Sequence, residues 1–158
     1  MDQEPSPSCV RAAIGRGNRC FDPGTARVLG VIYLDACLLI YLIEAHPRWG
    51  KAVAAAIEEA DTRFGISPLV KCECLVGAIK RGDPVLQRAY TELFDHFVSL
   101  TMPEPVYLQA AELRARFGLK TPDALHLACA QHHRCDALWT NDGRLTEASH
   151  GLAKNALR

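Results

Sequence analysis

Short apolar runs rich in β-branched and aromatic residues alternate along this chain with stretches whose apolar positions recur every three or four residues. The run VLGVIYL, residues 28–34, predicts a buried strand that ends at Asp35. A helix is expected directly behind it, over residues 36–44, with His46-Pro47 ending it. Trp49, Val53, Ile57 and Ala60 then recur at helical spacing. Residues 63–66 predict a short strand, after which Ser67 caps a helix that opens on Pro68, carries Glu73 and reaches about Lys80. Leu86, Tyr90, Leu93, Phe94 and Phe97 mark the apolar face of another helix, with FVSLT as a strand behind it. Val106, Ala110, Leu113 and Phe117 stripe the next helix, which Gly118 stops. Thr121 is expected to cap the helix after that, whose first turn holds Pro122 and Asp123. The last clear strand is DALWT, residues 136–140, running into Asn141-Asp142.

Strands that alternate with helices predict an α/β fold of three layers, α/β/α, around a central parallel sheet. In such folds sites form beyond the carboxyl ends of the strands. Asp35 and Asp142 both fall there, Asp123 opens the helix that precedes the Asp142 strand, and Glu73 lies about two turns into the helix after the second strand. Four carboxylates are thereby expected on one rim of the sheet.

Carboxylates held together raise one another's pKa unless a cation neutralises them. A hard divalent ion such as Mg²⁺ or Mn²⁺ takes oxygen ligands and uses few protein carboxylates beside substrate phosphate oxygens. Such ions activate water and stabilise both oxygens of a phosphodiester displacement. Each acid also has an ordinary reading. Asp123 suits a helix N-terminus by charge, Asp142 can cap the turn GRLTEAS, and Glu73 reads as a solvated helical residue. Asp35, between a buried strand and an apolar helix, is the least ordinary of the four. Together, the shared rim favours a metal site.

Composition narrows the classes. With 158 residues, 49% hydrophobic and 23% charged, the chain can bury the core of one globular domain. Net charge is zero, so a polyanionic partner must meet a local patch or a metal ion. The longest apolar run, residues 36–43, is too short to span a bilayer, and no membrane role is expected. Seven cysteines form no disulfide framework and no signal peptide precedes them, which points to a reducing cytoplasm. Residues 1–27, rich in Pro, Gly, Ser and Arg, read as a disordered leader or as a start site placed too early, and residues 28–158 as the domain.

The motifs resemble those of the PIN-domain ribonucleases, in particular VapC-type toxins of bacterial toxin–antitoxin pairs. VIYLDACLLIYLIEAHP is similar to the family's opening strand and helix, with Asp35 as first acid. ISPLVKCECLVG resembles the segment of the second acid, Glu73, with Ser67 six residues ahead. AAELRARFGLKTPDALHLACA is similar to the segment of the third acid, Asp123, and CDALWTND to the final motif with Thr140, Asn141 and Asp142. The resemblance implies an endoribonuclease dependent on Mg²⁺ or Mn²⁺. It implies Asp35 and Asp123 as the usual metal ligands, with Glu73 and Asp142 completing the metal pocket, directly or through water, and helping to orient the attacking water. Thr140 and Asn141 would support the pocket by hydrogen bonding. It also implies a homodimer and a small antitoxin partner. Two departures stand out. Ala36-Cys37 follow the first acid where many relatives carry a hydroxyl or amide, and the ending HGLAKNALR predicts a last edge strand that is short or absent.

Other residues attract simpler readings. Cys72 and Cys74 point roughly 200° apart on a helix, which does not suit a zinc site, and they read as ordinary helix residues with at least one buried. Cys129 and Cys135 read likewise. His126, His132 and His133 read as surface or packing residues, since the pair two turns apart is too far separated for one metal. Glu44 reads as a salt-bridge partner. Arg114, Arg116 and Lys120 can form a positive patch for RNA phosphates, although such residues are commonly just solvated. Leu38, Leu39, Tyr41 and Leu42 read as core before any docking face. The rival functions are a PIN domain that binds RNA or antitoxin without cutting, a phosphatase with Asp35 as nucleophile, and a redox or zinc protein. The second lacks the expected acid two residues on, where Cys37 stands. The third lacks the cysteine spacing.

Overall fold

Val31–Leu34, the strand β1, consists of β-branched, aromatic and leucine side chains and is paired on both edges. The computed structural model describes residues 30–157. The expected leader and the first residues of the predicted opening strand therefore lie outside the described residues. Parallel to β1 run Arg63–Ile66 (β2) on one side and Ala137–Thr140 (β4) on the other. Val98–Ser99 (β3) adds outside β2, and Ala153–Asn155 (β5) outside β4. The order is β3-β2-β1-β4-β5, every pairing parallel. Parallel neighbours need long crossovers, and the intervening segments supply helices. They are Ala36–Ile43 (α1), Gly50–Glu59 (α2), Pro68–Lys80 (α3), Pro84–Phe94 (α4), Glu104–Phe117 (α5), Thr121–His132 (α6) and Gly143–Ala148 (α7). The result is the three-layer α/β/α architecture.

Strand order reverses between β1 and β4. The chain builds outward from β1 through β2 to β3, then returns to the other side of β1 to lay down β4 and β5. Such a reversal leaves a crevice beyond the carboxyl ends of the two strands. Asp35 follows β1 directly, and Asn141-Asp142 follow β4 directly.

Local chemistry accounts for the helix starts. Ser67 accepts from the Val70 N–H, with Pro68 in the first turn of α3, and Asp83 accepts from the Leu86 N–H at 2.9 Å, with Pro84 opening α4. Gly118, at φ 66°, adopts the left-handed conformation that ends α5. Thr121 does not cap α6. It lies inside the helix, and Lys120 takes the cap position through its extended backbone without a side-chain bond. The FVSLT strand contracts to two residues, although Leu100 N–H still reaches the Ile66 carbonyl at 2.9 Å. The last edge strand exists but is only three residues long.

Leu38, Leu39 and Leu42 of α1 are buried in the core, together with Leu34, Ile66, Leu127 and Leu138. Each such side chain contributes roughly 1.5–3 kcal/mol of hydrophobic stabilisation. Tyr41 is half-buried and turns toward the crevice. Among the described residues, no helix is long and apolar enough to cross a membrane.

Candidate metal centre

Asp35 occupies the N-cap position of α1, yet its side chain makes no capping bond. Its backbone N–H donates to the Trp139 carbonyl at 3.0 Å, which fastens it to the tip of β4. The carboxylate is engaged elsewhere. Oδ2 accepts from Thr140 Oγ1 at 2.6 Å and from the Cys37 thiol at 3.4 Å. Oδ1 faces the Nε2 of His126 at 3.6 Å. The helix-capping explanation that serves most N-cap aspartates fails here.

Glu73 reaches the same place from α3, with Oε2 2.8 Å from His126 Nε2. The facing atoms of Asp35, Glu73 and His126 all lie within 4.8 Å of one another. Asp123, in the first turn of α6, and Asp142, at the start of α7, lie outside that tight group but line the same cavity of about 540 Å³, as do Cys37 and Asn141. The structure thus brings all four acids to one mouth at the β1–β4 reversal. Asp142 has a second task there, because its Oδ1 accepts from the N–H groups of Arg144 and Leu145 at 2.8 and 3.5 Å and so caps α7.

The supporting residues divide. Thr140 is fully buried, donates to Asp35, and accepts from the Asp142 N–H at 3.0 Å. Asn141 lines the cavity while its Oδ1 accepts from Asn155 Nδ2 at 3.1 Å. Ser67 is fully buried and does not line the cavity; its hydroxyl lies 2.6 Å from the Tyr33 hydroxyl.

His126 requires a correction. It is neither a surface residue nor simple packing, for it is 2% exposed and has a polar partner on each ring nitrogen, Tyr33 on Nδ1 at 2.8 Å and Glu73 on Nε2. The physical reason is helical spacing. Three residues beyond Asp123, it shares that residue's face of α6, which looks into the acid cluster. That spacing was the available signal, and for Tyr33 there was none beyond its place in β1.

The remaining candidates do not line the cavity. Glu44 bonds Arg81 at 3.0 Å and the Tyr90 hydroxyl at 2.9 Å. Cys72 is exposed and Cys74 buried. His132 is exposed, and His133 donates to the Thr101 carbonyl at 2.7 Å. Arg114, Arg116 and Lys120 are exposed.

Electrostatics bear on what the cluster can hold. Burial, then the charges of Asp142 and Asp35, raise the Asp123 carboxyl above its ordinary value, against the pull of His126 and Lys120. Burial opposes a charge on His126, but its bond to Glu73 and the nearby Asp35 and Asp123 outweigh this and raise its pKa. Burial and Asp35 push the Cys37 thiol up to about 12, so it stays protonated. A divalent cation would relieve the repulsion that Asp123 experiences, and hard carboxylate oxygens are the donors that Mg²⁺ and Mn²⁺ prefer. The residues fit such an ion.

Several solved structures share this fold. A toxin–antitoxin complex from Klebsiella pneumoniae is 24% identical, with a TM-score of 0.67 over 79% of this chain and 97% of that one. VapBC2 from Rickettsia felis, bound to a DNA fragment from its promoter, is 17% identical, with a TM-score of 0.68 over 79% and 98%. VapBC-1 from nontypeable Haemophilus influenzae is 19% identical, with a TM-score of 0.66 over 81% and 99%. No curated protein matches the chain in sequence. The family model of the PIN domain, however, matches residues 32–151. That span runs from β1 past α7 and includes all four acids of the cavity, and on this match the chain belongs to the PIN domain family.

Proposed function

We propose that this protein is a metal-dependent endoribonuclease, the toxin of a toxin–antitoxin pair, which hydrolyses RNA phosphodiester bonds with Mg²⁺ or Mn²⁺. One observation carries the reading. Asp35, Glu73, Asp123 and Asp142 line or border one cavity at the switch point of the sheet, and the Asp35 carboxylate is not spent on capping its own helix. The toxin assignment draws on the motif resemblance and on the structural neighbours, which include a toxin–antitoxin complex and two VapBC assemblies. A small antitoxin, a second copy of the chain and a cytoplasmic setting belong to the same reading.

Asp35 and Asp123 would hold the ion, with Glu73 and Asp142 completing its coordination directly or through water. A bound divalent ion supplies activation of water and stabilisation of the attacking and leaving oxygens. Thr140 keeps the Asp35 carboxylate turned so that Oδ1 faces the cluster. Glu73 and Asp142, which line the cavity, would accept hydrogen bonds from the attacking water and help to orient it. The exposed Lys120, close enough to Asp123 to lower its pKa, meets RNA phosphates at the mouth, with Arg114 and Arg116 behind it.

The test incubates purified wild type, Asp35→Ala and Asp123→Ala with total RNA in Mn²⁺ or EDTA and maps the new ends. Discrete fragments from wild type with metal only are expected. Cleavage by either variant at the wild-type rate, or in EDTA, refutes the metal roles. Intact RNA throughout, with RNA still bound, means a PIN domain that binds without cutting.

A further inference from the structure

The polar groups behind the cavity form a continuous buried line that the reaction above does not use. Ser67 Oγ lies 2.6 Å from Tyr33 Oη, which lies 2.8 Å from His126 Nδ1, and His126 Nε2 lies 2.8 Å from Glu73 Oε2. Ser67 and Tyr33 are fully buried. Resting on the nuclease reading, we infer that Ser67, Tyr33 and His126 are positioning residues that orient the Glu73 carboxylate and thereby set the site's affinity for its divalent ion.

Proton bookkeeping gives the line a direction. An ionised Glu73 can only accept, so His126 Nε2–H donates to it. A cation bound beside the ring disfavours its charge, and in the neutral ring Nδ1 then carries a lone pair, which the Tyr33 O–H fills. The Tyr33 oxygen is left to accept from the Ser67 O–H, and Ser67 in turn accepts from the Val70 N–H at 3.5 Å. Every donor is used once, and all point toward the carboxylate. No buried side-chain polar atom among the described residues lacks a partner.

Such a line is costly to build where apolar residues would pack as well, because each buried hydroxyl and imidazole forgoes water. It joins three separate elements, β1, the cap of α3 and α6, and terminates on the one acid that stands mid-helix with a side chain 31% exposed. A glutamate so placed has several rotamers, and a single fixed donor on Oε2 selects among them. The same imidazole stands 3.6 Å from Asp35 Oδ1, so its placement also bears on the first acid. Partners of this kind behind metal ligands are worth roughly 10–100-fold in metal affinity.

The test measures Mn²⁺ binding to metal-free protein without RNA, by loss of the free-ion electron paramagnetic resonance signal. Wild type is compared with Tyr33→Phe, His126→Leu, His126→Gln and the Tyr33→Phe/His126→Leu double variant, each with its circular dichroism spectrum. His126→Leu should weaken binding by roughly 10–100-fold and Tyr33→Phe by less. The double variant should be no weaker than His126→Leu alone, because Tyr33 acts through His126. His126→Gln, whose amide can donate to Glu73, should restore part of the loss. Unchanged affinity in Tyr33→Phe and His126→Leu, or additive losses, overturns the inference. Should His126→Leu misfold, Tyr33→Phe and His126→Gln decide. A metal-free arm, run at alkaline pH where the ring is neutral, records the ¹⁵N shifts of His126. The Nε2–H tautomer is expected in wild type, with a mixture in Tyr33→Phe, and an Nδ1–H ring in wild type overturns the relay. Wild type that binds no Mn²⁺ but keeps the Nε2–H tautomer refutes the nuclease reading and the effect on metal affinity while supporting the hydrogen-bond line.

Discussion

Thr140 Oγ1 donates to Asp35 Oδ2 at 2.6 Å and so joins the tips of two adjacent strands across 105 residues of sequence. The same oxygen accepts the Asp142 N–H. One buried hydroxyl therefore positions the side chain of the first acid and the backbone of the fourth. Thr140→Val preserves shape but strands both partners. Urea unfolding should show a loss of about 1–3 kcal/mol, the cost of leaving a buried polar group without its bond, with Thr140→Ser much closer to wild type. A valine variant as stable as wild type would mean that the bond adds nothing net.

Asp123 predicts a pH dependence of defined sign. Burial and the charges of Asp142 and Asp35 raise its folded-state pKa above the ordinary 3.8, so the folded protein holds this proton more tightly than the unfolded chain does. Its stabilising contribution is complete below 3.8 and declines as pH climbs from there through the raised folded value. In EDTA, Asp123→Asn should accordingly be more stable than wild type at neutral pH, and the gap should close in acid. Saturating Mn²⁺ should reverse the ranking, since an ion bound by the folded wild type stabilises it. Urea titrations across pH, with and without Mn²⁺, supply the comparison.

Asp142 has two separable tasks. As the cap of α7 it needs an acceptor oxygen, and as a member of the acid cluster it needs a charge. Asp142→Asn keeps the first and removes the second, while Asp142→Ala removes both. The alanine variant should lose about 0.5–2 kcal/mol and the asparagine variant little, yet RNA cleavage should collapse in both. If asparagine leaves cleavage intact, Asp142 serves the helix and not the chemistry.

The cysteines offer a chemical check on the cavity. Cys37 borders it but carries a thiol pushed up to about 12, whereas Cys72 is exposed on α3. Brief iodoacetamide treatment of the native protein at neutral pH, followed by peptide mass spectrometry, should modify Cys72 and spare Cys37. Denaturation should equalise them. Equal native labelling would show that the Cys37 thiol does not sit against Asp35 as described.

Much of this arrangement was legible before any tertiary contact was known. Residues 31–34 announce a buried strand by side-chain type, Ser67-Pro68 announces a helix start, and Gly118 announces a stop. Each depends on neighbours within one turn or one strand. One misplacement is equally local in cause, and the other is not. Thr121 has the chemistry of a cap, but the Lys120 backbone already turns the chain into α6 and draws the threonine inside. For His126 the spacing from Asp123 shows a shared helix face, but nothing in DALHLACA shows which groups its ring meets. Its partners stand 53 and 93 positions away.

By itself, then, the sequence determined the types and order of the elements as far as β4, and the placing of an acid after β1, after β4, midway along α3 and in the first turn of α6, because short-range sterics and side-chain periodicity settle those matters. Tertiary structure alone decided what each polar atom does. Only the order β3-β2-β1-β4-β5 sets Thr140 beside Asp35, and only the packing of α3 and α6 over β1 lines up Ser67, Tyr33, His126 and Glu73. Hydrogen bonds are directional and act over about 3 Å, so the choice of partner waits on which distant segments the sheet brings together.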